Sequence, residues 1–71
     1  EIKLKYFSKK KDNCLIQMTD LSGKIIISFK QNFFEGINEF LLPAPSDLSS
    51  GTYLIQISGK GISKSSIHFK M

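Results

Sequence analysis

At 71 residues the chain holds one domain and not two. Hydrophobic residues make up 41% of it, which argues against disorder and for a thin core. The formal charge is +4, yet all ten positive residues are lysines; without arginine, the basic balance is weak evidence for nucleic-acid recognition. Lysines on solvent faces and sheet edges account for it more simply. A lone cysteine, Cys14, excludes a disulfide-built scaffold. No run approaches the roughly 20 apolar residues of a membrane helix. The first residues lack the apolar core of a secretion signal peptide. Glu1 opens directly in a strand pattern, so we expect a piece of something longer.

Residues 1–7 alternate, with Ile2, Leu4 and Tyr6 on one face and Lys3 and Lys5 on the other. That is a half-buried strand. Residues 8–13, with three consecutive lysines, read as a charged hairpin loop. The second strand spans 14–19 and places Cys14, Ile16 and Met18 on one face. Asp20-Leu21-Ser22-Gly23 makes a tight turn: Asp bonds the backbone that follows it and Gly supplies positive φ. The third strand, 24–30, carries Ile25, Ile26 and Ile27 in succession, so both faces are covered or one meets a partner. Residues 31–36 read as a turn made greasy by Phe33 and Phe34: either one closes the end of the core and the other is partly exposed, or they form a contact surface for a partner. The fourth strand spans 37–42, with Phe40 and Leu42 inward, and Pro43 ends it.

The rest of the chain is organised around residues 48–57. Leu48 is expected to plug the loop onto the core. Gly51 turns the chain into a central strand, 52–58, whose Tyr53, Ile55 and Ile57 share a face. Gly59-Lys60-Gly61 reads as a hairpin turn. In the last strand, 63–71, Ile67, Phe69 and Met71 alternate with His68 and Lys70. Six short strands at this spacing, with no helical period, predict an all-β fold, a small antiparallel sandwich of about six to seven strands.

The residues offer little chemistry. Cys14 lies on an apolar face, where thiols are usually inert. Pairing it with His68 would require one of the two to change face. One Cys and one His do not make a zinc site. Asp12, Asp20, Glu35 and Asp47 fall in turns, where they cap amides. Gly59-Lys60-Gly61 lacks the spacing and the helix of a phosphate loop. Neither an enzyme nor a bound cofactor or metal is expected.

The residues from Met18 through Asp20-Leu21-Ser22-Gly23-Lys24 to Ile26 resemble the strand–Asp-x-x-Gly-Lys–strand segment of type IX secretion C-terminal sorting domains (type A-like) of Bacteroidota. Glu35-Gly36-Ile37-Asn38 and Leu48-Ser49-Ser50-Gly51-Thr52-Tyr53-Leu54-Ile55 continue the match, and Lys64 and Lys70 stand where the final strand of such domains is basic. The resemblance implies an immunoglobulin-like sandwich over residues 1–71, a single domain lacking an upstream strand or linker. It implies a secretion signal that directs an N-terminal cargo protein through an outer-membrane translocon. A sortase-like surface peptidase would then act on it, leaving the cargo secreted or at the cell surface. Asp20, Gly23, Lys24, Gly51 and Tyr53 would be its signature positions, with Lys64 and Lys70 on the strand the machinery reads. Thr19 departs from the aromatic common there, and the 43–50 loop is longer than usual.

Two other readings compete. The first is an accessory sandwich of an adhesin or secreted enzyme, a spacer or a glycan binder using Phe33, Phe34 and Asn38. The second is direct binding of anionic polymer by Lys9, Lys10 and Lys11, which salt would screen.

Overall fold

The period-two patterning becomes six strands in a computed structural model that describes residues 2–60 and 63–71. They are β1 (Ile2–Ser8), β2 (Asp12–Asp20), β3 (Ile25–Phe33), β4 (Gly36–Leu42), β5 (Gly51–Ser58) and β6 (Ser63–Lys70). Among the described residues there is no helix. The strands form two antiparallel sheets, β1-β4 and β3-β2-β5-β6, in the all-β sandwich class the sequence predicts.

The expected hairpin between the first two strands does not form. β1 pairs with β4 across its whole length, and β2 pairs with β3 and β5. The lysine-rich corner carries the chain from one layer to the other, folded by the Ser8 hydroxyl, which donates to the Lys10 carbonyl at 2.6 Å. The reason is burial. Ile2, Leu4 and Tyr6 form one apolar face, and Cys14, Ile16 and Met18 form another. In one sheet they would lie side by side; in two layers they face each other and exclude water.

The expected turn at 31–36 is also shorter. Asp12, Asn13 and Cys14 pair with Phe33, Asn32 and Gln31, so β3 continues to Phe33. Ladder pairing here overrides the weak strand propensity of Asn and Gln. Only Phe34 and Glu35 then link β3 to β4. Phe33 is fully buried, its ring 5.1 Å from Tyr6 and 5.4 Å from Phe40, whereas Phe34 is 61% exposed. The division of labour expected for this pair holds.

The isoleucine run is resolved by a register shift. Met18 pairs with Ile27 and Thr19 with Ile25, leaving Ile26 as the extra residue of a bulge. Ile26 and Ile27 pack against the core, and Ile25 is exposed. β5 lies in the interior of the larger sheet, a place it shares with β2. Leu48 is half-buried against the core, its amide donating to the Pro45 carbonyl at 3.3 Å. β5 and β6 pair out to Ser58 and Ser63, but Gly61 of the expected turn lies outside the described residues.

Gly59 is a point of close approach. A Cβ there would sit 2.7 Å from Asp12 Oδ2 and 2.8 Å from Cys14 Sγ. Gly59→Ala is therefore expected to destabilise the domain by about 1–3 kcal/mol in urea unfolding, as overpacking does. Cys14→Ala introduced beside it should recover part of that loss, and strictly additive losses would overturn this reading.

Candidate recognition surface

Asp20 ends β2 and organises the turn to β3. Its Oδ1 accepts from the Ser22 amide at 3.0 Å, the Ser22 hydroxyl at 2.7 Å and the Lys24 amide at 2.9 Å. Two backbone bonds close the same turn: the Asp20 amide donates to the Lys24 carbonyl at 3.0 Å, and the Gly23 amide donates to the Asp20 carbonyl at 3.1 Å. Gly23 has φ +95°, a conformation that L side chains rarely adopt. The Ser22 hydroxyl above all, then the Lys24 amide, holds the Asp20 carboxyl below its ordinary pKa.

Across the sheet, Asp20 pairs with Tyr53 and Tyr53 with His68. Tyr53 is buried, and its hydroxyl donates to the Ser49 carbonyl at 2.6 Å, tying the 43–50 loop to the sheet. This four-residue reach back along the chain is the geometry of a tyrosine corner. Gly51 pairs with Lys70. Asp20, Gly23, Lys24, Gly51, Tyr53 and Lys70 thus gather at one end of the larger sheet. Lys64 is not with them. It lies six residues before Lys70 on β6, with its Nζ 5.4 Å from the centre of the Tyr6 ring.

β6 is turned opposite to an ordinary core strand. Its pairing with β5 puts Lys64, Ser66, His68 and Lys70 on the side of Tyr53 and Ile55, facing the smaller sheet. Ile67 and Phe69 face outward and are 62% and 68% exposed. Outward residues line up across all four strands: Ile25 pairs with Thr19, Thr19 with Leu54, and Leu54 with Ile67. Phe69 sits beside that row, opposite Thr52. The result is a stripe on the open face of the larger sheet that is apolar except at Thr19. Sequence reasoning did not single out Ile25, Leu54, Ile67 or Phe69 as surface residues. Alternation separates two faces of a strand but does not say which is inside.

The remaining candidates are rearranged. Cys14 and His68 face the same side, contrary to expectation, because His68 is on the inward face of β6. They are still remote: His68 is in the row of Tyr53 and Asp20, six residues along β2 from Cys14, or roughly 20 Å. Burial first, and then Asp12, pushes the Cys14 thiol pKa up, which disfavours the nucleophilic thiolate. Among the described residues no three metal-ligating side chains converge. The expected glycan-binding trio does not assemble. Phe33 is sealed in the core, and Asn38 is spent on backbone. It accepts from the Phe34 amide at 2.9 Å and donates to the Phe34 carbonyl at 2.9 Å and the Gly36 carbonyl at 3.1 Å.

The domain is thus a bulged, tyrosine-cornered sandwich with an outward row of apolar residues on its larger sheet. Residues 1–68 match the family described as the secretion system C-terminal sorting domain, and the chain belongs to that family. No match is found among curated proteins or among solved structures. Membership makes the domain a sorting signal for type IX secretion, a signal and not a catalytic unit. It implies attachment to a cargo protein, interaction with the type IX machinery, and export across the outer membrane to a secreted or surface location.

Two outcomes follow from this geometry. Tyr53→Phe should lower stability by about 1 kcal/mol in urea unfolding, since it strands the Ser49 carbonyl; an unchanged midpoint would overturn the corner. The depressed pKa of Asp20 gives stability that is fully present above the ordinary aspartate pKa of about 3.9 and is lost as pH falls through the lower folded value. Asp20→Asn cannot titrate, so the stability gap between it and the parent should close over that window. A gap that is constant with pH would contradict the assignment.

Proposed function

We propose that export machinery reads this domain as a folded address, through the outward face of β6 and the apolar stripe beside it. The observation that carries this reading is the inversion of β6. Ile67 and Phe69 are spent on solvent, while Lys64, Ser66 and His68 are turned to the interior side. The narrow opposing sheet permits this inversion but gains no burial from it, and exposed apolar groups that align across a sheet mark protein-binding surfaces.

On this reading Asp20, Gly23, Lys24, Gly51 and Tyr53 act by holding that end of the sheet in shape. Lys64 and Lys70 give the same strand a basic opposite face. The direct partners are the outer-membrane type IX translocon and a sortase-like surface peptidase of the Bacteroidota kind, acting on a cargo fused upstream. The accessory-module reading lacks a comparable observation, since Phe33 and Asn38 are committed to the fold.

The test is a secreted reporter fused ahead of this chain in a type IX-competent bacterium. Ile67→Glu together with Phe69→Glu changes only exposed positions, so the purified fusion should keep its unfolding midpoint. Surface or medium reporter should fall by about tenfold or more, the equivalent of losing at least 1.4 kcal/mol of recognition, with the shortfall recovered from the periplasm. Undiminished export by a folded variant would overturn the proposal.

A further inference from the structure

The two sheets differ in width, two strands against four, so part of the larger sheet has no lid. β1 lies over β5 and β6. Lys64 reaches the Tyr6 ring, one cleft joins Leu4 and Tyr6 to Ile55, Ile57 and Ser66, and another joins Ile2 to His68 and Lys70. One edge of β1 is paired with β4 from Ile2 to Ser8. Among the described residues no backbone hydrogen bond joins the other edge to any segment. A groove therefore runs the length of β1. One wall carries unpaired strand N–H and C=O groups, and the floor is the inward face of β6.

That floor has the wrong chemistry for a dry core. Inward positions of a sandwich are ordinarily apolar, but here they are Lys64, Ser66, His68 and Lys70, in steps of roughly 6.8 Å. Lys9 and Lys10 line one end of the groove, and Asp12 is the carboxylate beside them. The described ion pair, Lys3 with Glu39 at 3.1 Å, lies on the opposite, outer face of β1-β4, and among the described residues no carboxylate forms an ion pair with Lys64 or Lys70.

We propose that the free edge of β1 takes an extended acidic strand from a partner protein as the third strand of the smaller sheet. The incoming backbone pairs with β1, and its alternate side chains point down onto β6. Carboxylates at those positions meet Lys64 and Lys70, and the neighbouring positions face solvent. The charge of the floor selects an acidic strand over a basic one. The unpaired wall selects a polypeptide over a polyanionic glycan, which would meet the lysines and leave the edge unanswered. This surface is separate from the outward stripe, on the other face of the same sheet, and goes beyond the export reading without depending on it.

The experiment titrates the folded chain with a capped peptide of the same length as β1, 7 residues, alternating glutamate and valine. Hydrogen exchange followed by NMR gives the readout. The expected result is saturable binding that weakens with salt, with slowed exchange at alternate amides of residues 2–8. Lys64→Glu with Lys70→Glu should weaken it by about tenfold or more. A peptide N-methylated along one edge keeps every charge and should not bind. The proposal is overturned by any of four results. The lysine–valine peptide binds as well. The N-methylated peptide binds as well. The protected amides belong to β3 or to the outer edge of β6. Or dextran sulfate competes fully while the glutamate peptide leaves β1 exchange unchanged.

Discussion

The fold depends on one contact between layers, Phe33 held between Tyr6 and Phe40. A two-stranded ribbon such as β1-β4 is marginal alone in water. It persists because its inward side chains close over Cys14, Ile16, Met18 and Phe33, all of them fully buried. Phe33 belongs to the larger sheet and both of its ring partners to the smaller one. Aromatic pairs at such distances contribute about 0.5–1.5 kcal/mol each beyond the area they bury. The lysine corner, the extension of β3 and the short link to β4 all follow from placing that ring.

Because the smaller sheet has only two strands, the apolar seal covers β2 and its neighbours and thins toward β6. An edge strand in that position is released from the demand for an apolar inner face. This is the physical reason β6 can be inverted, with His68 and the lysines beneath the groove and Ile67 and Phe69 outside. In a wider sandwich, burying two lysines and a histidine would cost several kcal/mol without partners. Here the cations stay within reach of water, and Lys64 also rests over the Tyr6 ring.

Asp20, Gly23, Gly51 and Tyr53, the residues on which the resemblance was read, build the end of the sheet. Asp20 closes a turn through three hydrogen bonds, and Tyr53 pins the preceding loop through one. Gly23 and Gly51 both have positive φ, +95° and +153°. These residues act on shape: each closes a turn or fixes a loop, and none presents a group set apart for chemistry.

Strand number, strand positions and most turns were legible in the amino-acid order. Period-two alternation is local, and so are the φ demands of Gly23 and the capping habit of Asp20. The inward sets on β2, β4 and β5 were legible as well, since each has one clearly apolar face. The partners of β1 were not, because a charged six-residue corner closes a hairpin or crosses between layers equally well on local grounds. The orientation of β6 was not legible either. Its alternation defines two faces, and only the width of the opposing sheet decides which one needs to be apolar. The sequence by itself determined an antiparallel all-β domain of about six strands with an Asp20–Gly23 turn, while the bond that pins the 43–50 loop to Tyr53 came only with the structure. Tertiary pairing decided where its exposed stripe and its open edge lie, because register and layer are set by contacts between segments far apart in the chain.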